Sequence, residues 1–253
     1  MLTLGNIEKD IRLYGRRRAR KLRKDQQRSM DIYDAEAMLA NISGLFRQES
    51  PFERIELEIG FGAGEHLLAQ AAIAPKVAFI GAEPFENGFS HASVWAANQP
   101  NLFLYNGDGR VLFRHIPPSS LDRAYILFPD PWPKRRHEKR RLINQAFLES
   151  LVFFLKPAGE VRFASDFLNY AVQVIQLLES SGNWSWNDTE PRESQDEIFQ
   201  NMQNTRLMNL SLQQIPEAYQ RFLLRLVSWP QTRYETKARL KGSLCCYLSV
   251  LKV

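Results

Sequence analysis

Glycines occupy alternate positions in Gly60-Phe61-Gly62-Ala63-Gly64, directly after an apolar run carrying Glu56 and Glu58 and directly before helical spacing. Without a Cβ, such a loop lets a ligand press against the backbone. A dinucleotide loop needs its third glycine three residues after the second, where this chain has Glu65. Further acids close the next apolar runs. Glu83, 19 residues after Gly64, is spaced for a carboxylate that accepts both ribose hydroxyls of a nucleoside. Asp108, in Asn106-Gly107-Asp108-Gly109, is placed to accept from an adenine amino group. Glu58, Glu83 and Asp108 thus fall at the carboxyl ends of successive strands, where open α/β sheets bind ligands. The competing reading of each acid alone is a helix cap or a solvated turn.

The segment Phe128-Pro129-Asp130-Pro131-Trp132-Pro133-Lys134 holds three prolines in five residues, which fix an extended path for Asp130 and Trp132. Lys134 to Arg141 then carry six basic residues and one acid. If this run opens a helix, its cations oppose the helix dipole, and an external anion such as phosphate is expected to compensate them. A second basic concentration lies at residues 9 to 28, with ten Lys/Arg against Asp10 and Asp25. That is a local +8 in a chain of net +5, leaving −3 for the remainder. A basic surface this concentrated points to nucleic acid.

The elements that must hold these residues alternate. Arg54 to Ile59, Val77 to Ala82, Leu102 to Tyr105, Ala124 to Phe128 and Glu160 to Ala164 read as strands, being short, apolar and bounded by Gly, Pro or Asp. Glu65 to Ala74, Phe85 to Asn98, Leu142 to Leu155 and Phe167 to Ser180 carry helical spacing, as in Leu168, Ala171, Val172, Ile175 and Leu178. Repeated β-α units predict a mostly parallel sheet with helices on both faces. Leu244 to Leu251 reads as an antiparallel last strand, and Ser29 to Ala40 as a helix behind a mobile basic arm. Residues 183 to 215 read as a polar excursion of the same domain.

An E-x-G-x-G-x-G turn after the first strand resembles the cofactor loop of S-adenosylmethionine (SAM) methyltransferases, which implies a Rossmann-like fold. With Gly15-Arg16-Arg17, Glu58-Ile59-Gly60, FPDPWPK-x-RH-x-KRR and Thr232-Arg233-Tyr234-Glu235-x-Lys237 added, most of the chain resembles the tRNA (guanine-N7-)-methyltransferase family. The resemblance implies SAM as cofactor, with Glu58, Gly60, Gly62, Gly64, Glu83, Asp108 and Asp130 around it. Asp130 is also the implied catalytic residue. It implies tRNA as partner, with Lys134, Asp166, Thr232, Arg233, Tyr234 and Glu235 on the guanosine side, and position 46 of the variable loop as the target. Guanine N7 carries an in-plane lone pair and no proton, so its methylation needs neither a general base nor a metal. In-line alignment and a carboxylate facing the developing purine cation suffice, and Asp130 suits the latter. Glu235 is expected to accept from guanine N1–H and the 2-amino group.

Other chemistries fit less well. Methylation of cytosine C5 needs an activated thiolate, whereas Cys245 and Cys246 lie in an apolar strand pattern and read as core. Their adjacency argues against a disulfide framework, and His66, His91, His115 and His137 lack metal-ligand spacing. No signal-peptide core or run of about 18 apolar residues is present. A cytoplasmic protein without membrane or DNA partners is the expectation. The composition leaves oligomeric state open. Two readings compete: a SAM enzyme for a small metabolite or another RNA site, and a non-enzymatic RNA-binding subunit. An enzyme for a small metabolite has no use for the basic arm, and an RNA-binding subunit none for the cofactor acids. Residues 1–45 are expected to form the basic arm and helix, and residues 46–253 the methyltransferase domain.

Overall fold

The computed structural model of the protein describes residues 13–193 and 217–253. The first part of the arm and most of the polar excursion, residues 194–215, lie outside the described residues. Seven strands form one sheet in the order β3-β2-β1-β4-β5-β7-β6. β1 (Arg54–Ile59), β2 (Val77–Ala82), β3 (Leu102–Tyr105), β4 (Leu121–Leu127) and β5 (Leu155–Ser165) run parallel. β7 (Cys246–Lys252) pairs antiparallel with both β5 and β6 (Trp184–Trp186). This is the expected Rossmann-like α/β sheet with an antiparallel last strand. Because Ile59 pairs with Ala82, Ala82 with Tyr105, and Leu127 with Ala164, the carboxyl ends of five strands finish along one edge.

One face of the sheet, built from residues such as Leu57, Ile80, Ala124 and Phe163, packs on α2 (Ala35–Gly44), α5 (Gln145–Phe154) and α6 (Leu168–Ser181). The other face divides. α3 (Glu65–Ile73) and α4 (Glu86–Ala96) cover β2 and β3 through Leu67, Phe79 and Phe89. Leu226, Trp229 and Ala238, the last on α8 (Arg233–Leu240), cover Tyr125, Ala164 and Tyr247. Ahead of α8, α7 (Glu217–Gln220) leads into a short 3-10 turn. Beneath these covers runs a row of buried polar groups that strand patterning does not foresee. Tyr125 donates to Glu56 at 2.8 Å, Arg162 to Glu160 at 2.7 Å, and Ser249 and Arg123 to Glu160 at 2.5 Å. Buried charges persist when paired and hydrogen-bonded in this way.

Several boundaries move for identifiable reasons. The single helix expected over Ser29 to Ala40 is two, α1 (Lys24–Asp31) and α2, because Asp34 caps α2 by accepting from Glu36 N at 2.9 Å and Ala37 N at 3.0 Å. At the break, the Tyr33 hydroxyl accepts from Asn106 N at 2.9 Å. α5 starts at Gln145 because Asn144 Oδ1 accepts from Phe147 N at 3.0 Å, and Leu155, expected at its end, opens β5. The basic run forms a separate 3-10 helix, Arg135–Arg140, before α5. Its cations therefore do not sit on the first turn of an α-helix, and the dipole argument for a bound anion falls away. The mobile-arm expectation is corrected over Arg17 to Arg20. Glu86 N donates to Arg17 O at 2.8 Å, Ala19 N to Asn87 Oδ1 at 2.9 Å, and Asn87 Nδ2 to Arg20 O at 2.9 Å, which dock this stretch on α4.

Candidate functional site

A cavity of about 740 Å³ opens at the carboxyl edge, lined by Gly60, Glu83, Asp108, Asp130, Trp132 and Tyr234 among others. Its size falls within the roughly 300–1,000 Å³ of ligand sites. Of the three glycines of the turn, Gly60 lines the cavity, whereas Gly62 and Gly64 do not. Gly60 has φ +80°, and a Cβ built there meets no protein atom within 4 Å, so the space above its backbone is open. Gly62, at φ +60°, is crowded instead, since a Cβ would lie 2.9 Å from Cε2 of Tyr234. Gly64, at the N-cap of α3 with φ +86°, is crowded too, since a Cβ would lie 2.8 Å from that of Ala92.

These contacts give a direct expectation for Gly62→Ala. Forcing a Cβ into the left-handed region costs about 1–2 kcal/mol, and the methyl displaces the Tyr234 ring. Denaturant unfolding of Gly62→Ala in wild-type and Tyr234→Ala backgrounds separates the two parts. A smaller cost in the Tyr234→Ala background is expected, and equal costs would exclude the ring contact.

Glu83 closes β2 and is 7% exposed. Its Oε2 accepts from Gly62 N at 2.7 Å and its Oε1 from Phe85 N at 2.8 Å, tying the glycine turn to the start of α4. Burial pushes its carboxyl up to about 7 against the opposing effect of those two N–H groups. Asp108 is also buried, caps the 3-10 turn Gly109–Arg114 and pairs with Arg110 at 2.6 Å. Glu58 departs from the expected arrangement. It is 2% exposed, outside the cavity wall, with Oε2 2.7 Å from Nδ1 of His66 on α3. Its connection to the site runs through the turn that follows it.

Asp130 stands at the cavity mouth, open to solvent yet desolvated enough by its surroundings to hold its carboxyl above the usual range. The loop around it is strained. Phe128 and Trp132 have φ of +51° and +42°, a region costly for aromatic residues and often retained at functional sites. Phe128 N donates to Ala164 O at 2.7 Å, which anchors the loop to the end of β5. Over this loop lies the arm. A Cβ on Gly15, at φ +113°, would sit 3.6 Å from Oδ2 of Asp130, and the Tyr14 ring lies edge-on to Trp132 at 6.2 Å. The Arg140 guanidinium stacks 5.1 Å from the Tyr14 ring centre and 5.0 Å from that of Trp132. Tyr14 and Arg16 as cavity walls were not foreseen, and only the Gly15-Arg16-Arg17 motif hinted at them. His137 packs 5.9 Å from Trp132. Desolvation and then the neighbouring cations Arg140, Arg136, Lys134 and Lys139 hold its imidazole below the ordinary value.

The Thr232 to Glu235 turn reaches the site through one residue. Tyr234 lines the cavity, whereas Thr232 caps α8 by accepting from Glu235 N at 3.1 Å, and Arg233 pairs with Glu65 on α3. Glu235 is 2% exposed, its Oε1 held by Arg225 at 2.9 Å, Arg239 at 3.1 Å and the Tyr247 hydroxyl at 2.9 Å. This carboxylate is engaged in the interior, unlike the free guanine acceptor expected from sequence. Lys134 and Asp166 are exposed, at the start of the 3-10 helix and the end of β5. Cys245 and Cys246 are buried, and burial pushes both thiols up to about 12, far from a nucleophilic thiolate. Among the described residues, no cluster of three or more His, Cys, Asp or Glu could hold a metal ion, and no helix is long and apolar enough to cross a membrane.

A family model described as "Putative methyltransferase" matches residues 53–220. A tRNA (guanine-N(7)-)-methyltransferase of Azorhizobium caulinodans is 34% identical over 100% of both chains. One of Zymomonas mobilis is 34% identical over 96% of this chain and 94% of its own. Among solved structures, an antibiotic-related methyltransferase superposes with a TM-score of 0.51 at 15% identity, covering 88% of this chain and 96% of its own. The 16S rRNA methyltransferase KamB superposes with a TM-score of 0.52 at 12% identity, over 87% and 94%. These two likenesses bear on the fold.

Proposed function

The chain belongs to the tRNA (guanine-N(7)-)-methyltransferase family, and from that premise we propose how its cavity serves the reaction and which guanosine it modifies. The enzyme transfers a methyl group from SAM to N7 of guanine in tRNA. The observation that carries the assignment of roles is the convergence of Gly60, Glu83, Asp108 and Asp130 on one cavity beneath a basic segment.

The residues present fit SAM. The open space over Gly60 is a cradle that a Cβ would fill, and two buried carboxylates stand at the strand ends beside it. In this reading Glu83 holds the ribose hydroxyls, Asp108 the adenine side, and the turn Gly60 to Gly64 the methionine part. Glu58 supports that turn from beneath. SAM supplies an electrophilic methyl group on a sulfonium sulfur. The protein's share is orientation and charge, since N7 needs no deprotonation. The strained loop holds Asp130 at the mouth, where its carboxylate favours the positive charge that builds on the purine.

We assign Lys134, Asp166 and the Thr232 to Glu235 turn to the guanosine side. Tyr234 faces the base, while Thr232, Arg233 and Glu235 fix its position. Residues 1–45 supply the basic segment, with α1 and α2, that meets the RNA, residues 46–253 supply the methyl-transfer domain, and the target is position 46 in the variable loop. The work of the enzyme is in the cytoplasm.

Incubation with labelled SAM and unmodified tRNA, followed by nucleoside analysis and mapping, tests this. 7-Methylguanosine at position 46 is expected, with little label in DNA or protein. Label on cytosine, on guanine N1 or only on small molecules would refute the reading, and 7-methylguanosine elsewhere would correct the position.

A further inference from the structure

Arg141 ends the basic run Lys134 to Arg141, yet it is 5% exposed. Its guanidinium turns inward. Nε donates to the carbonyl of Pro131 at 2.9 Å, Nη1 donates to Oε1 of Gln173 on α6, and Nη2 lies 3.7 Å from Glu138. The planar group rests 5.0 Å from the ring centre of Tyr170 and 5.9 Å from that of Phe167. Tyr170 is itself fixed, its hydroxyl accepting from Ile143 N at 2.9 Å. Arg141 also lines the cavity, but at 5% exposed and with Nε and Nη1 already engaged it offers a phosphate little surface.

The carbonyl it holds is placed to matter. Pro131 follows Asp130, and its ring fixes its own φ, so ψ of Pro131 is a main soft torsion between Asp130 and Trp132. The Pro131 carbonyl belongs to the peptide plane that also contains Trp132 N. Gripping it therefore sets that torsion and supports the left-handed φ of +42° at Trp132. Strained conformations of this kind persist only where surrounding bonds over-determine them. Resting on the methyl-transfer reading above, we propose that Arg141 is a positioning residue: it clamps the Asp130-Pro131-Trp132 loop so that the Asp130 carboxylate is preset at the cavity mouth, and it takes no part in binding the RNA backbone. The planar fork is required, because a lysine ammonium cannot stack on Tyr170 while donating along both in-plane directions.

The test uses the full chain carrying Arg141→Lys, with Gln173→Ala as a milder variant on the half-buried face of α6. Hydrogen exchange of the peptide spanning residues 128–137 is expected to speed up in both, more in Arg141→Lys, while exchange in β1 and β2 is unchanged. Single-turnover methylation at saturating SAM and tRNA is expected to fall about tenfold or more in Arg141→Lys. In an Asp130→Asn background the same change is expected to cost less than about twofold, since coupled residues lose their effect together. The log-log salt slope for tRNA binding is expected to stay at the wild-type value. A slope reduced by about 0.7 to 0.9, the loss of one phosphate contact, would overturn the proposal, as would unchanged loop exchange or fully additive rate losses. If Arg141→Lys does not fold, loop exchange in Gln173→Ala decides. The exchange measurement needs no turnover, so a wild-type protein that failed to methylate tRNA would strike the functional reading and leave this one to be judged separately.

Discussion

Asp130→Ala is expected to lower the single-turnover rate of methyl transfer by about 10² or more, the scale of losing one preorganised electrostatic group, with SAM affinity changed far less. The group is exposed in a loop, so the thermal midpoint is expected to stay within a few degrees. Asp130→Asn keeps the shape and removes the charge. A slow Asn variant assigns the effect to charge, and an active Asn variant beside a dead Ala variant would assign it to positioning. The pH profile gives an independent check. Partial desolvation raises the Asp130 carboxyl above its ordinary value of 3.8. Since only the ionised form stabilises a purine cation, the rate is lost as pH falls through that raised value and is fully present above it. Asp130→Asn is expected to abolish that acid limb. Near-normal rates in both folded variants would remove Asp130 from the mechanism.

What was legible in the sequence followed from strong local signals. β1, β2 and β3 occupy the spans read from apolar runs closed by Gly, Pro or Asp, and the acids at their ends inherit the sheet edge from topology alone. Phe128 shows where local signals stop. It is apolar and β-prone, so it reads as the last residue of β4, but its φ of +51° takes it out of the strand. The basic run shows a deeper limit. Lys134 and Arg141 are alike in composition, yet one is exposed and the other buried beneath Tyr170. Only the packing of α6 against the loop decides which. Glu235 is of the same kind: its partners Arg225, Arg239 and Tyr247 come from three segments, and nothing in a four-residue motif announces them. Sequence supplied the chemistry of these side chains, and long-range contacts supplied their direction.

Glu83 is where direction and chemistry combine most strongly, and Glu83→Ala is expected to weaken SAM binding by about 10²-fold or more. Two ribose hydroxyls donating to one carboxylate contribute roughly 1.5–3 kcal/mol each. The same carboxylate also holds Gly62 N at 2.7 Å and Phe85 N at 2.8 Å, so its removal loosens the glycine turn and the start of α4 as well. Glu83→Gln keeps one acceptor but turns an amide N–H toward a backbone N–H, and a loss of about tenfold is expected. The carboxyl, pushed up to about 7 from an ordinary 4.5, adds a signature with opposite signs in two measurements. Because the folded state holds the proton more tightly than the unfolded state, the stability it contributes is fully present below about 4.5 and is lost as pH rises through about 7. SAM binding calls for the carboxylate, so affinity rises with pH over the same interval. Calorimetric titration with SAM and denaturant unfolding, each from pH 5 to 8, are expected to show the two trends crossing in wild type. Both trends are expected to flatten in Glu83→Gln. Cofactor affinity that is independent of pH in wild type and unchanged in Glu83→Ala would exclude Glu83 from the cofactor site.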